Sequence, residues 1–112
     1  MRVIIVFFLI SFFSCNSYDR AEIRKMLDSD DKNEQMEAVY LIGENRDSFF
    51  IDDLIRLSYD PRVVHKMEYL GMSIHYGCIV ALKKITKLPP PNKSDDEVDS
   101  VNIDFYRNLL KR

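Results

Sequence analysis

Cys15, His65, His75 and Cys78 are the residues best suited to chemistry in this chain of 112 residues. His75 and Cys78 stand three apart, which on a helix sets an imidazole near a thiol, as a nucleophile and its base require. With His65 they also supply zinc-ligand types. Three ligands, one in a segment without clear periodicity, fall short of a closed site. Cys78 moreover lies on an apolar stripe between Ile74 and Leu82, where a thiol behaves as a small buried hydrophobe. A structural Cys78, packed or solvent-facing histidines, and neither metal nor other cofactor are therefore expected. Asp52-Asp53 and Asp95-Asp96-Glu97 cluster carboxylates, but neighbours at i and i+1 on a helix point apart, and an acid–base pair needs a cleft that separates its pKa values. Both runs read as solvated faces. No P-loop, glycine-rich phosphate turn or G-x-S-x-G occurs. No catalytic residue is assigned, and the chain reads as a non-enzyme.

Cys15 has a different context. It follows MRVIIVFFLISFFS, in which one basic residue, Arg2, precedes an uncharged apolar run from Val3 to Ser14. Twelve residues make roughly 18 Å of helix against a hydrocarbon core of about 30 Å, too short to span. A basic start, a short apolar stretch and a small residue before a cut site form a secretion signal. With Ser14 ahead of Cys15, the segment resembles the signal of bacterial lipoproteins, although Phe12 stands where Leu is commonest. The resemblance implies cleavage after residue 14, a diacylglycerol on the Cys15 thiol, and a membrane-anchored protein of the bacterial cell envelope facing the periplasm or exterior. The alternative is ordinary secretion with a nearby cut. A modified Cys15 leaves Cys78 without a disulfide partner.

The charges exclude other classes. Sixteen basic residues against 18 acidic ones give a net charge of −2, and nucleic-acid binding draws on a basic surplus. The length allows one small domain.

The elements that position these residues are helical. Residues 15–18 form a tether. Asp19 and Asp31 each precede a Glu by three residues, the spacing of a capping box. Ile23, Met26 and Leu27 mark a first helix, about 19–27. Met36, Val39 and Tyr40 mark a second, expected to stop at Gly43. A third, capped by Ser48, carries Phe50, Ile51, Leu54, Ile55 and Leu57 and ends at Asp60-Pro61. Ile74, Cys78, Ala81, Leu82, Ile85 and Leu88 lie on one face of a fourth. Pro89-Pro90-Pro91 ends it, and residues 89–99 read as an acidic linker, mobile beyond the prolines. A last helix at 100–112, capped by Asp99-Ser100, should turn Ile103, Tyr106, Leu109 and Leu110 inward.

The helices repeat. Leu27-Asp28-Ser29-Asp30 aligns with Leu57-Ser58-Tyr59-Asp60, and Met36, Ala38, Val39 and Ile42 align with Ile79, Ala81, Leu82 and Ile85. The second alignment is longer by thirteen residues, an insert at about 61–73. The fold expected is all-α: two helix–turn–helix units within residues 19–88, followed by a C-terminal helix. Asp60-Pro61-Arg62-Val63 looks like the turn between the helices of a HEAT-type repeat. Ala81-Leu82-Lys83-Lys84-Ile85 and Ala38-Val39-Tyr40-Leu41-Ile42-Gly43 look like the ends of second helices. The resemblance, over about 22–88, implies a short α-solenoid used for protein binding; one branch of the family comprises lyases acting on bilins.

The insert is rich in apolar residues, and Met67, Tyr69, Leu70 and Met72 are the candidate partner contacts, since Met and Tyr suit adaptable surfaces. The function expected is a lipid-anchored protein–protein interaction module. The alternatives are an enzyme of the lyase type or an inhibitor or immunity-type protein against a toxin or envelope enzyme.

Overall fold

The computed structural model describes residues 18–65 and 71–110. Among them the chain forms helices α1 (Arg20–Leu27) and α2 (Lys32–Glu44), a 3-10 turn (Ser48–Phe50), and α3 (Ile51–Leu57). A two-stranded ribbon, β1 (Val63–Val64) and β2 (Met72–Ser73), then leads into α4 (Ile74–Thr86), with α5 (Ser100–Leu110) last. The expected all-α class holds in its main feature, a fold dominated by helices.

Local chemistry starts α1, α2 and α5 where the sequence predicts. Asp19 accepts from Ala21 N at 3.0 Å and Asp31 from Asn33 N at 2.9 Å, so each carboxylate satisfies a backbone donor left over in the first turn. Asp99 does the same for Val101 N at 2.9 Å. Two helix boundaries differ from expectation. Asp47, not Ser48, caps the third segment, accepting from Phe49 N at 3.1 Å, and the chain makes a 3-10 turn before α3 proper. Gly43 does not end α2. It is buried inside the helix, and a Cβ there would lie 3.1 Å from the Cα and Cβ of Ala81. Gly43 thus serves close helix packing, and the left-handed residue beyond α2 is Arg46, at φ 48°.

α2 and α4 form the most extensive helix contact, with α1 packed on α2, α3 on α4, and α5 on α3 and α4. Met36 lies against Gly77 and Gly43 against Ala81, so α2 and α4 run in the same direction. Between and behind them sits one core that includes Ile23, Leu27, Val39, Ile42, Phe50 and Leu54, continued by Ile74, Cys78, Leu82, Ile103 and Tyr106.

Polar bridges tie the first helices and the turns together. Arg24 on α1 makes paired hydrogen bonds to Asp53 on α3 at 2.8 and 2.9 Å. Arg62, after α3, reaches back to the first turn of α2 and the turn before it, donating to Gln35 Oε1 at 2.5 Å and to the Asp30 carbonyl at 3.2 Å. Asp60 holds the Arg62 guanidinium in place at 2.7–3.0 Å. The described ends of the insert pair with each other, Val63 with Ser73 and Val64 with Met72 in antiparallel register. Gly71, at φ 78°, donates to the Val64 carbonyl at 3.0 Å, a conformation that favours glycine.

The linker after Pro91 carries specific contacts rather than lying loose. Asp96 accepts from Ser73 N at 3.0 Å, and Asn92 and Asn102 exchange hydrogen bonds of 2.9 and 3.2 Å. Asn102 is fully buried. Leu88, expected on the inward face of α4, is exposed because Lys87 adopts the left-handed conformation at φ 63° and turns the chain out after Thr86.

Candidate functional site

Where α2 and α4 part, they leave an apolar groove of about 310 Å³. Its walls are Met36, Val39 and Tyr40 from α2 and Gly77, Val80 and Ala81 from α4, with Met72 of β2 at one end and Lys84 at the other. The groove exists because of small residues. Gly43 and Ala81 let the helix backbones meet at one end, while Gly77 leaves room for the Met36 thioether to lie across α4. A Cβ on residue 77 would stand 2.7 Å from Met36 Sδ. The floor is therefore a thioether seated on a glycine, and Met36 is itself part of the core. The Lys84 ammonium pairs with Glu44 and lies 5.5 Å from the centre of the Tyr40 ring. That arrangement holds a half-exposed tyrosine beside the groove mouth.

Of the candidate contact residues, Met72 lies on this groove, half-buried. Met67, Tyr69 and Leu70 lie outside the described residues, as does Cys15. Val64, in the same insert, is fully buried and β1 packs on α2, so the described part of the insert folds onto the helices. The sequence singles out the insert but not the groove, several of whose other walls, Met36, Val39, Tyr40 and Ala81, are core positions by periodicity. The available signal was Gly77: a glycine inside a strongly periodic helix marks a close approach.

The nucleophile-like pair does not form a reactive site. Cys78 is fully buried and unpaired, and burial pushes its thiol far above the ordinary range. His75 is also fully buried; its Nδ1–H donates to the Ser58 carbonyl at 2.7 Å, while Nε2 is buried without a partner among the described residues. His65 is exposed. Among the described residues no group of three or more His, Cys, Asp or Glu is placed to hold a metal.

The acidic runs divide. Asp52 is exposed, but Asp53 is in ion pairs with Arg24 and Arg56 at 2.8 and 3.0 Å. Hydrogen bonding from Arg24, opposed by burial and aided by Arg56, holds the Asp53 carboxyl below the usual carboxylate range. At Asp47, burial pushes the carboxyl up, but hydrogen bonds from Arg20, Tyr18 and Phe49 N outweigh it and hold it low. These are structural carboxylates, ionised and saturated, with no proton to lend.

Among the described residues no helix is long and apolar enough to cross a membrane. Comparison of the chain with protein-family models, curated proteins and solved structures finds no match.

Proposed function

We propose that this chain is a lipid-anchored envelope protein whose two HEAT-like helix pairs, α1–α2 and α3–α4, bind another protein in the groove between their second helices. The groove carries this reading: it is apolar and preformed, with Tyr40, Val80 and Met72 accessible along it, the properties of a surface that takes partner side chains. The stacking of the two pairs is supported by Arg62, which fastens one inter-helix turn to the other, and by the Arg24–Asp53 bridge between first helices. α5 packs on α3 and α4 as a terminal cap would, covering apolar surface that two repeats alone leave open. The anchor rests on the signal-like segment that ends at Cys15.

Val80 is half-exposed on the groove wall and outside the core cluster, so it reports on the groove without disturbing the fold. A photo-crosslinking residue placed at Val80 in the membrane-bound protein should give a discrete adduct with one envelope protein. The same residue at exposed Val101 on α5 should not. Met72→Asp, which puts an unpaired charge at the groove mouth, should weaken capture by on the order of tenfold or more while leaving the helical signal intact. Equal adducts at both positions, unaffected by Met72→Asp, would remove the groove from the function.

A further inference from the structure

At the end of the molecule where the described chain begins, Phe49 is 60% exposed, the most exposed large apolar side chain among the described residues. Its ring is fixed. It stands edge-on to buried Phe50 at 5.0 Å, the Arg20 guanidinium lies 4.5 Å from its centre, and its backbone N–H is held by Asp47 at 3.1 Å. Asp47 also accepts from the Tyr18 hydroxyl at 2.8 Å and from Arg20 at 2.8 and 2.9 Å. Arg46 is exposed beside this cluster. A single exposed aromatic is ordinary on a protein surface, but the length of the tether gives this one something to meet. Tyr18 is three residues from Cys15, a reach of about 10 Å when fully extended.

We infer that Phe49 docks the domain onto the bilayer, its ring entering the boundary between headgroups and acyl chains. The inference rests on the reading of Cys15 as the lipid-bearing residue. With a diacylglycerol there, Tyr18 is confined close to the membrane surface, and the Asp47 hydrogen bonds hold Phe49 to Tyr18. Docking is then an intramolecular step at high effective concentration, so one aromatic contact suffices to bias orientation. The occupant is the apolar and interfacial part of the bilayer rather than its charge. Asp47 neutralises Arg20, and Asp19 and Arg46, of opposite charge, line the same shallow depression, so the patch is close to neutral. Docking also orients the groove. α2 ends at Glu44, next to this patch, so the Gly43–Lys84 end of the groove is nearest the membrane and the Met36–Met72 end points away.

The chain contains no Trp, so Phe49→Trp makes a single reporter that keeps an aromatic at the site. The full chain, processed in cells, is reconstituted into phosphatidylcholine vesicles with brominated acyl chains. Phe49→Trp should show blue-shifted emission and quenching several-fold stronger than Tyr59→Trp, which lies at the other end of α3. High salt should leave the quenching unchanged. Ser48→Trp, which retains Phe49, is a second reporter; its quenching should disappear when Phe49→Ser is added. Protein that floats with the vesicles but shows equal, weak quenching at positions 49 and 59 overturns docking and leaves the anchor standing. Protein that fails to float, and behaves like Cys15→Ala, overturns the anchor and the docking together.

Discussion

Cys78 shows how a residue with reactive chemistry becomes inert through its surroundings. Its thiol is enclosed by the core, and desolvation disfavours the thiolate that nucleophilic attack and metal binding require. A thiol reagent should therefore modify native Cys78 only as fast as the core opens. In urea the same reaction should accelerate on the order of a hundredfold or more. Rapid native labelling, followed by mass spectrometry of the Cys78 peptide, would show the core to be open. His75, one turn earlier, is spent in the same way: its Nδ1–H satisfies the Ser58 carbonyl at the end of α3. Gly43 and Gly77 work oppositely. They contribute nothing chemical, yet the absence of their side chains lets α2 and α4 meet at one end and leaves the groove along them.

α5 is the element whose role depends most on packing. Ile103 and Tyr106 are fully buried against α3 and α4, and the Tyr106 hydroxyl donates to the Leu88 carbonyl at 2.7 Å. Burial pushes that phenol up to about 12. The helix thus packs on α3 and α4 and also fastens the chain emerging from α4. Tyr106→Ala should cost about 3 kcal/mol or more, because it deletes a large ring from a closed site. Tyr106→Phe keeps the ring and loses one hydrogen bond, a cost of about 1 kcal/mol. Urea denaturation of the three proteins, followed by circular dichroism, tests the ordering; equal midpoints would mean that α5 rides on the surface.

For the whole molecule, arginine–aspartate bridges join separate elements at Asp47–Arg20 and Asp53–Arg24 and brace the chain locally at Asp53–Arg56 and Asp60–Arg62. Asp60 follows the rule of Asp47, burial pushing its carboxyl up and the hydrogen bonds from Arg62 more than offsetting it. All three are held below the ordinary value of about 3.9. A carboxyl whose folded pKa is depressed adds stability that is complete above the unfolded pKa and is lost as pH falls through the folded one. The urea midpoint should accordingly be flat with respect to these pairs from about pH 7 to 5 and fall below about pH 4. Asp53→Asn should lower the midpoint at pH 7 and shrink the drop between pH 5 and 3. The arginines are largely exposed, so solvent screens each bridge and the individual effects are modest.

The sequence by itself determined the helices and much of the core. Apolar residues recurring every three or four positions, with Asp at the starts, are local information. Asp19, Asp31 and Asp99 cap as read, and Ile23, Met36, Cys78 and Tyr106 are buried as read. Ala38 and Ala81, aligned in the proposed repeat, are both buried. Only the tertiary structure decided which glycine is a stop and which a contact, since a helix C-terminus and a tight crossing both favour the smallest residue. It also converted Asp53 from a solvated carboxylate into a bridge, because its partner Arg24 lies 29 positions away on another helix. The groove was beyond local reading for the same reason. It is a space between two helices, bounded by residues that periodicity assigns to the core, and its existence depends on how closely those helices approach at Gly43 and part beside Val80.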